Sequence, residues 1–127
     1  KEKVKFIGNI SRNKVLDWMR KADFFLYPSF EGGGMVVLEA MACGKPIICL
    51  DFGGPGEFVT KECGIKVKPY KLDQSVKDIA NALLKLATDA ELHKRLSEGA
   101  RHKIEQNYAW EIKAKRLDYI YTKVLSM

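Results

Sequence analysis

Two carboxylates, Glu31 and Glu39, flank three consecutive glycines in the stretch "SFEGGGMVVLEAMACGKP", from Ser29 to Pro46. Gly32, Gly33 and Gly34 precede a helix-like segment that starts at Met35, so backbone N–H groups and the positive end of a helix dipole gather there. With no side chains in the way, a phosphate or a sugar hydroxyl can come close to those N–H groups. A tight strand-to-helix turn would explain the glycines equally well. Glu39 adds a second constraint, because its neighbours Val36, Val37, Leu38, Ala40, Met41 and Ala42 are all apolar and the segment reads as a buried helix. A carboxylate in such a helix needs partners, since an unpaired buried charge is costly. It lies four residues in, roughly 6 Å of rise below the helix start. From there it can accept both hydroxyls of a ribose cis-diol while a diphosphate sits at the helix end. An ion pair with a lysine or arginine, or exposure at the sheet edge, would also satisfy it. Glu31 stands before the glycines, either as a carboxylate favoured by the dipole, worth about 0.3–1 kcal/mol, or beside the group carried beyond the phosphates. A second loop, "DFGGPGE" from Asp51 to Glu57, follows the next strand-like run, and its glycines either admit a ligand or turn the chain.

The rest of the composition narrows the classes. With 127 residues, 46% hydrophobic and 30% charged, the chain has the size and composition of a single globular domain, 1–127. No apolar run approaches the roughly 20 residues of a membrane span, and the start "KEKVKFIGNI" has no signal-peptide pattern, which favours a cytoplasmic protein. That start runs directly into a strand-like segment, as expected of a domain belonging to a longer polypeptide. Cys43, Cys49 and Cys63 have neither CxxC spacing nor clustered histidines, so neither a disulfide framework nor a metal site is expected. The net charge of +6 suits several anionic partners. The basic residues are spread without interleaved aromatics, and no nucleic-acid motif accompanies them. Lys113, Lys115, Arg116 and Lys123 near the C-terminus suit either a solvated face or peripheral contact with an anionic membrane.

The elements that must position the glycine loop alternate. Strand-like Val4–Ile7 is followed by a helix over about 11–21, a strand over 24–27, a helix over 35–43, a strand over 46–50, a helical turn over 56–59 and a strand over 65–67. Short, continuously apolar strands separated by helices predict an α/β, Rossmann-like doubly wound parallel sheet over about 1–69. In that architecture ligands bind beyond the carboxyl ends of the strands, where "PSFEGGG" falls. From about 70 to 127 the pattern is helical: Val76, Ile79, Ala80, Leu83, Leu84 and Ala87, then Leu92, Leu96, Ala100 and Ile104, then Leu117, Ile120, Tyr121 and Val124. Each stripe is expected to pack on the sheet or another helix, with Asp73 and Asp89 as N-caps. A dinucleotide-dependent oxidoreductase is disfavoured, because no GxGxxG follows the first strand.

The segment "YPSFEGGGMVVLEAMACGKPIICLDFGGPGEFV" resembles the donor-site region of the retaining family four, or group 1, glycosyltransferases of GT-B fold. Glu31, seven residues, then Glu39 matches their paired-glutamate motif, and "LEAMACGKP" followed by "GG" and "E" continues the match. "VKFIGNIS" and "NYAWE" resemble the flanking segments. The resemblance implies the later half of a GT-B C-terminal domain with additional C-terminal helices, in which Glu39 holds the ribose of a nucleotide sugar and Glu31 acts at the transferred hexose. It implies that Gly33, Gly34, Met35 and Val36 contact the sugar and diphosphate, and that Gly8, Asn9 and Ile10 border the base. UDP-, GDP- or ADP-linked donors, no bound metal and no further cofactor are expected. Gly33 stands where many relatives carry phenylalanine, and the family's phosphate-binding basic residues and acceptor-binding N-terminal domain fall upstream of residue 1. The chain is therefore expected to be inactive alone, as part of a longer transferase; a stand-alone nucleotide or nucleotide-sugar binding module is the alternative.

Overall fold

The computed structural model describes residues 3–127. The elements are α1 (Arg12–Lys21), β1 (Phe25–Tyr27), α2 (Met35–Ala42), β2 (Ile47–Leu50), α3 (Gly53–Phe58), β3 (Gly64–Val67), α4 (Leu72–Thr88), α5 (Ala90–Asn107) and α6 (Trp110–Leu125). The three strands pair in parallel in the order β1-β2-β3, with Phe25 beside Ile47 and Ile47 beside Gly64. All four β2 residues are buried, as a central parallel strand requires. Successive β2 side chains feed opposite layers. Ile47 and Cys49 join Met19, Val37, Met41 and Ala100 on one face, while Ile48 joins Ala82, Leu86 and Leu96 on the other. The sheet is thus covered on both sides.

Helix α5 decides which edge of that sheet stays open. The His93 ring bonds the carbonyl of Asp23, just before β1, at 2.7 Å. The Ser97 hydroxyl donates to the carbonyl of Gly44, and Arg101 donates to that of Ala42 at 2.7 Å, both just before β2. Gly99 lies flat against Glu62, just before β3. One helix therefore seals the amino ends of all three strands, leaving the carboxyl ends, where the glycine loops emerge, free of it. Asp89 caps α5, accepting from the Leu92 N–H at 2.9 Å, and Leu96 and Ala100 are buried in the expected stripe.

Four expectations change. Val4–Ile7 forms no strand: among the described residues β1 pairs only with β2, the segment has no ladder partner, and Phe6 is 94% exposed. A lone extended segment leaves its backbone groups to water instead of to a sheet. The helical turn expected at 56–59 begins earlier, at Gly53, and Val59 ends it. On α4 the buried face runs through Ser75, Ala82 and Leu86 with Ile79 and Leu83 partly covered, while Val76 and Leu84 face water; Asp73 sits inside the first turn and does not cap. The Ser75 hydroxyl is satisfied by the carbonyl of Lys68 at 3.3 Å. Finally, α6 buries nothing, so Leu117, Ile120, Tyr121 and Val124 form an apolar stripe that no described element covers. No helix among the described residues is long and apolar enough to cross a membrane.

The α5 closure is open to direct test. A Cβ at Gly99 would fall 1.9 Å from the Glu62 carbonyl oxygen. Gly→Ala inside a helix ordinarily stabilises by up to about 1 kcal/mol. Here the clash reverses the sign, and Gly99→Ala should lose about 1–3 kcal/mol, read as a lowered denaturation midpoint. An unchanged or raised midpoint would show that α5 does not seat on the Thr60–Glu62 turn.

Candidate functional site

The loop Pro28–Gly34 leaves β1 and enters α2, and its backbone is interlocked with the loop that follows β2. The Gly54 N–H donates to the Gly32 carbonyl at 3.0 Å. A Cβ at Gly53 would meet the Glu31 carbonyl oxygen at 2.0 Å, and one at Gly54 would meet that of Gly33 at 1.8 Å. Gly53 and Gly54 of "DFGGPGE" therefore let two loops touch backbone to backbone, a role that neither reading of this loop, admitting a ligand or turning the chain, anticipates. Gly34, at φ +84°, is the N-cap of α2 and lies against the buried Pro55 ring, where a Cβ would come within 2.8 Å. Gly32 and Gly33 are different. Nothing stands within 4 Å of where their side chains would be.

That opening faces the start of α2, which no side chain caps. The N–H groups of Met35 and Val36 have no backbone acceptor among the described residues, as the first turn of a helix dictates. Glu31 curls toward this point: a Cβ at Gly34 would lie 3.6 Å from its Oε1. The Tyr27 hydroxyl faces the same carboxylate. Hydrogen bonding to Glu31 chiefly raises the Tyr27 pKa, burial and the Glu31 charge add to it, and Ser29 opposes. Glu31 is thus a carboxylate beside a helix N-terminus, in the electrostatic reach of a strand tyrosine. Tyr27 carried no signal in the sequence, because its reach to Glu31 depends on the loop folding back.

Glu39 lies on the side of α2 that faces α1. Its Oε1 pairs with Arg12 Nη2 at 2.6 Å, and the two side chains are 28% and 72% exposed, respectively. The helix is therefore not buried all round, and one carboxylate oxygen is engaged by a cation from the neighbouring helix. An ion pair so open to water is worth about 0–1 kcal/mol. Arg12 also ties the start of α1, directly after the exposed Gly8, Asn9 and half-buried Ile10, to the Glu39 side of α2. A groove of about 830 Å³ continues from Glu39 toward the amino edge between α1, α2 and α5, past Arg20, Cys43 and Arg101. It lies toward the opposite end of α2 from the glycine loop, with Glu39 in its lining.

Residues 1–103 match the family of glycosyl transferases described as group 1. The chain belongs to that family. A GDP-mannose-dependent monoacylated alpha-(1-6)-phosphatidylinositol monomannoside mannosyltransferase of Corynebacterium glutamicum is 31% identical over 127 aligned positions, covering 94% of this chain and 32% of that protein. Sucrose synthase of Solanum tuberosum is 34% identical over 95 positions, 73% of this chain and 12% of that protein. Among solved structures, the sucrose-phosphate synthase of Thermosynechococcus elongatus superimposes with a TM-score of 0.79 at 27% identity, over 96% of this chain and 30% of that one. The C-terminal domain of the group 1 protein LpcC from Francisella tularensis does so with 0.69 at 28% identity, over 84% of this chain and 53% of that domain. The group 1 chain thus spans about a third of the mannosyltransferase and less of the synthase. Its fold, a parallel sheet with helices on both faces, is that of GT-B C-terminal domains.

Beneath the interlocked loops, Cys49 lies buried with its thiol 3.7 Å from the Pro55 carbonyl, and burial pushes its pKa up to about 12. Lys66 draws it down and Asp51 raises it, both less strongly than burial. On the order of one thiol in 10⁴ is then ionised at pH 8, so Cys49 should resist iodoacetamide in the native chain. Cys43, half-buried on the groove, should label first; mass mapping that finds Cys49 modified before Cys43 would contradict this packing.

Proposed function

We propose that this group 1 chain is the donor-binding portion of a retaining glycosyltransferase that moves a hexose from a nucleoside-diphosphate sugar to an acceptor. The observation that carries the reading is the glycine loop ahead of α2: it is open where side chains would stand at Gly32 and Gly33, and it leads through Gly34 into the uncapped start of the helix. The diphosphate takes the N–H groups from Gly33 to Val36, which stabilise the negative charge that develops on the leaving group. Glu39 accepts the ribose hydroxyls through the oxygen Arg12 leaves unbonded, or by displacing that weak pair. Glu31, at the far side of the helix start, acts at the transferred hexose, and Gly8–Ile10 border the base. Neither a metal nor a further cofactor is part of the scheme.

The chain corresponds to about a third of relatives that are transferases, which favours a portion of such an enzyme over a stand-alone binding module. Acceptor binding is assigned to the remainder of the protein, and the chain alone is expected to be inactive. The name of the mannosyltransferase supports a hexose donor, and the base, uracil, guanine or adenine, is decided by titration. The enzyme is placed in the cytoplasm, peripheral to a membrane face, with the exposed Trp110, Leu117, Tyr121 and Val124 of α6 and its Lys113, Arg116 and Lys123 as the contact.

An amide-shift titration with UDP, GDP and ADP tests the site. Shifts centred on Gly32–Glu39, with one base preferred, are expected. Glu39→Ala should weaken the preferred nucleotide about tenfold, the loss of one charge-assisted hydrogen-bonding partner, at an unchanged midpoint of unfolding. Equal affinity in the variant would remove Glu39 from the ribose. In the enzyme that carries this chain, Glu31→Ala should lower kcat by a larger factor than it weakens donor binding; normal turnover would refute its role.

A further inference from the structure

Two aromatic rings at the carboxyl edge remain without a role. Phe30 precedes Glu31 in the loop after β1, and Phe52 precedes the glycines in the loop after β2. Their ring centroids are 5.0 Å apart at an interplanar angle of 57°, and the residues are 63% and 47% exposed. Packing explains only part of this arrangement. A tilted pair is favourable, yet each ring leaves much of its apolar surface in water beside a loop that is itself open.

Backbone contacts bring the two residues together. Phe30 and Phe52 flank the stretch in which Gly53 and Gly54 lie against the carbonyls of Glu31 and Gly33, so the interlock sets the backbone from which both rings project. Each phenylalanine has an acidic residue next to it in the chain. Glu31 follows Phe30, and Asp51, paired with Lys66 at 2.8 Å, precedes Phe52. A rigid apolar surface bordered by hydrogen-bond acceptors is what a pyranose calls for, since its axial C–H bonds make one face apolar and its hydroxyls project from the rim. A nucleobase would also stack on aromatic rings. The proposed donor site places the base on the Glu39 side of α2, whereas Phe30 directly precedes Glu31, so a sugar suits these rings better than the base.

We infer that Phe30 and Phe52 form a stacking platform for a pyranose ring at the mouth of the glycine loop. The inference rests on the donor-site reading above. The ring comes either from the donor or from a sugar acceptor, and the chemistry of the platform is the same for both.

The test compares the wild-type chain with Phe30→Ala, Phe52→Ala and Phe52→Tyr, titrated with a nucleoside diphosphate, the matching nucleotide hexose and methyl hexopyranosides. Ring-proton shifts of both phenylalanines are expected with a sugar-bearing ligand and not with the bare diphosphate. Each alanine variant should bind that ligand about two- to tenfold more weakly, with diphosphate affinity unchanged and Phe52→Tyr close to wild type. A loss confined to the nucleotide hexose assigns the platform to the donor sugar, and a loss confined to the glycoside assigns it to the acceptor. Diphosphate binding at Gly32–Glu39 without any ring-proton response to sugars, or alanine variants that bind sugars like wild type, overturns the platform alone. A diphosphate that shifts nothing in Gly32–Glu39 overturns the donor-site reading, and with it the platform.

Discussion

The contact between the loop after β1 and the loop after β2 is the constraint on which the site depends. Gly53 and Gly54 press their backbone against the carbonyls of Glu31 and Gly33, and one hydrogen bond, Gly54 to Gly32, fixes the register. Everything at the carboxyl edge inherits its position from this interlock. Gly34 turns in the left-handed region over Pro55, α2 starts where that turn ends, and the N–H groups of Met35 and Val36 face outward. A larger residue at either contact glycine would separate the loops and remove the shared surface.

The opposite edge is organised by side chains. His93, Ser97 and Arg101 of one helix each reach a carbonyl just ahead of a strand, and Gly99 lets that helix come down on the third connection. These contacts tie the helix to the connections that lead into the strands. The result is a polar asymmetry along the strands. One end is closed by α5, and the other presents unpaired donors at the start of α2, which is the arrangement an anionic ligand of an open α/β sheet requires.

The two glutamates illustrate how context separates residues of one type. Glu31 lies near a helix N-terminus and influences the Tyr27 hydroxyl, in a loop whose shape is set by glycine contacts. Glu39 is held by an arginine from another helix, with both partners in contact with water. The first is fixed by local backbone, and the second sits in a weak pair that a hydrogen-bonding ligand can share.

Periodicity and glycine spacing determined much on their own: the β1-α2-β2 succession, the parallel class of the sheet, the α5 stripe and the Asp89 cap are local consequences of residue type. The motif from Tyr27 to Val59 likewise pointed to the family without any coordinates. What the sequence could not decide depends on partners distant along the chain. Val4–Ile7 has strand composition but no neighbour to pair with, and the stripe of α6 is amphipathic yet touches nothing that covers it. On α4, several apolar residues compete for one face, and only the sheet beneath selects Ala82 and Leu86 over Val76 and Leu84. The partners of Glu39 and Glu31, and the meeting of Phe30 with Phe52, were invisible for the same reason. They arise where separate βα units converge, and hydrophobic pattern carries no record of which loops will touch.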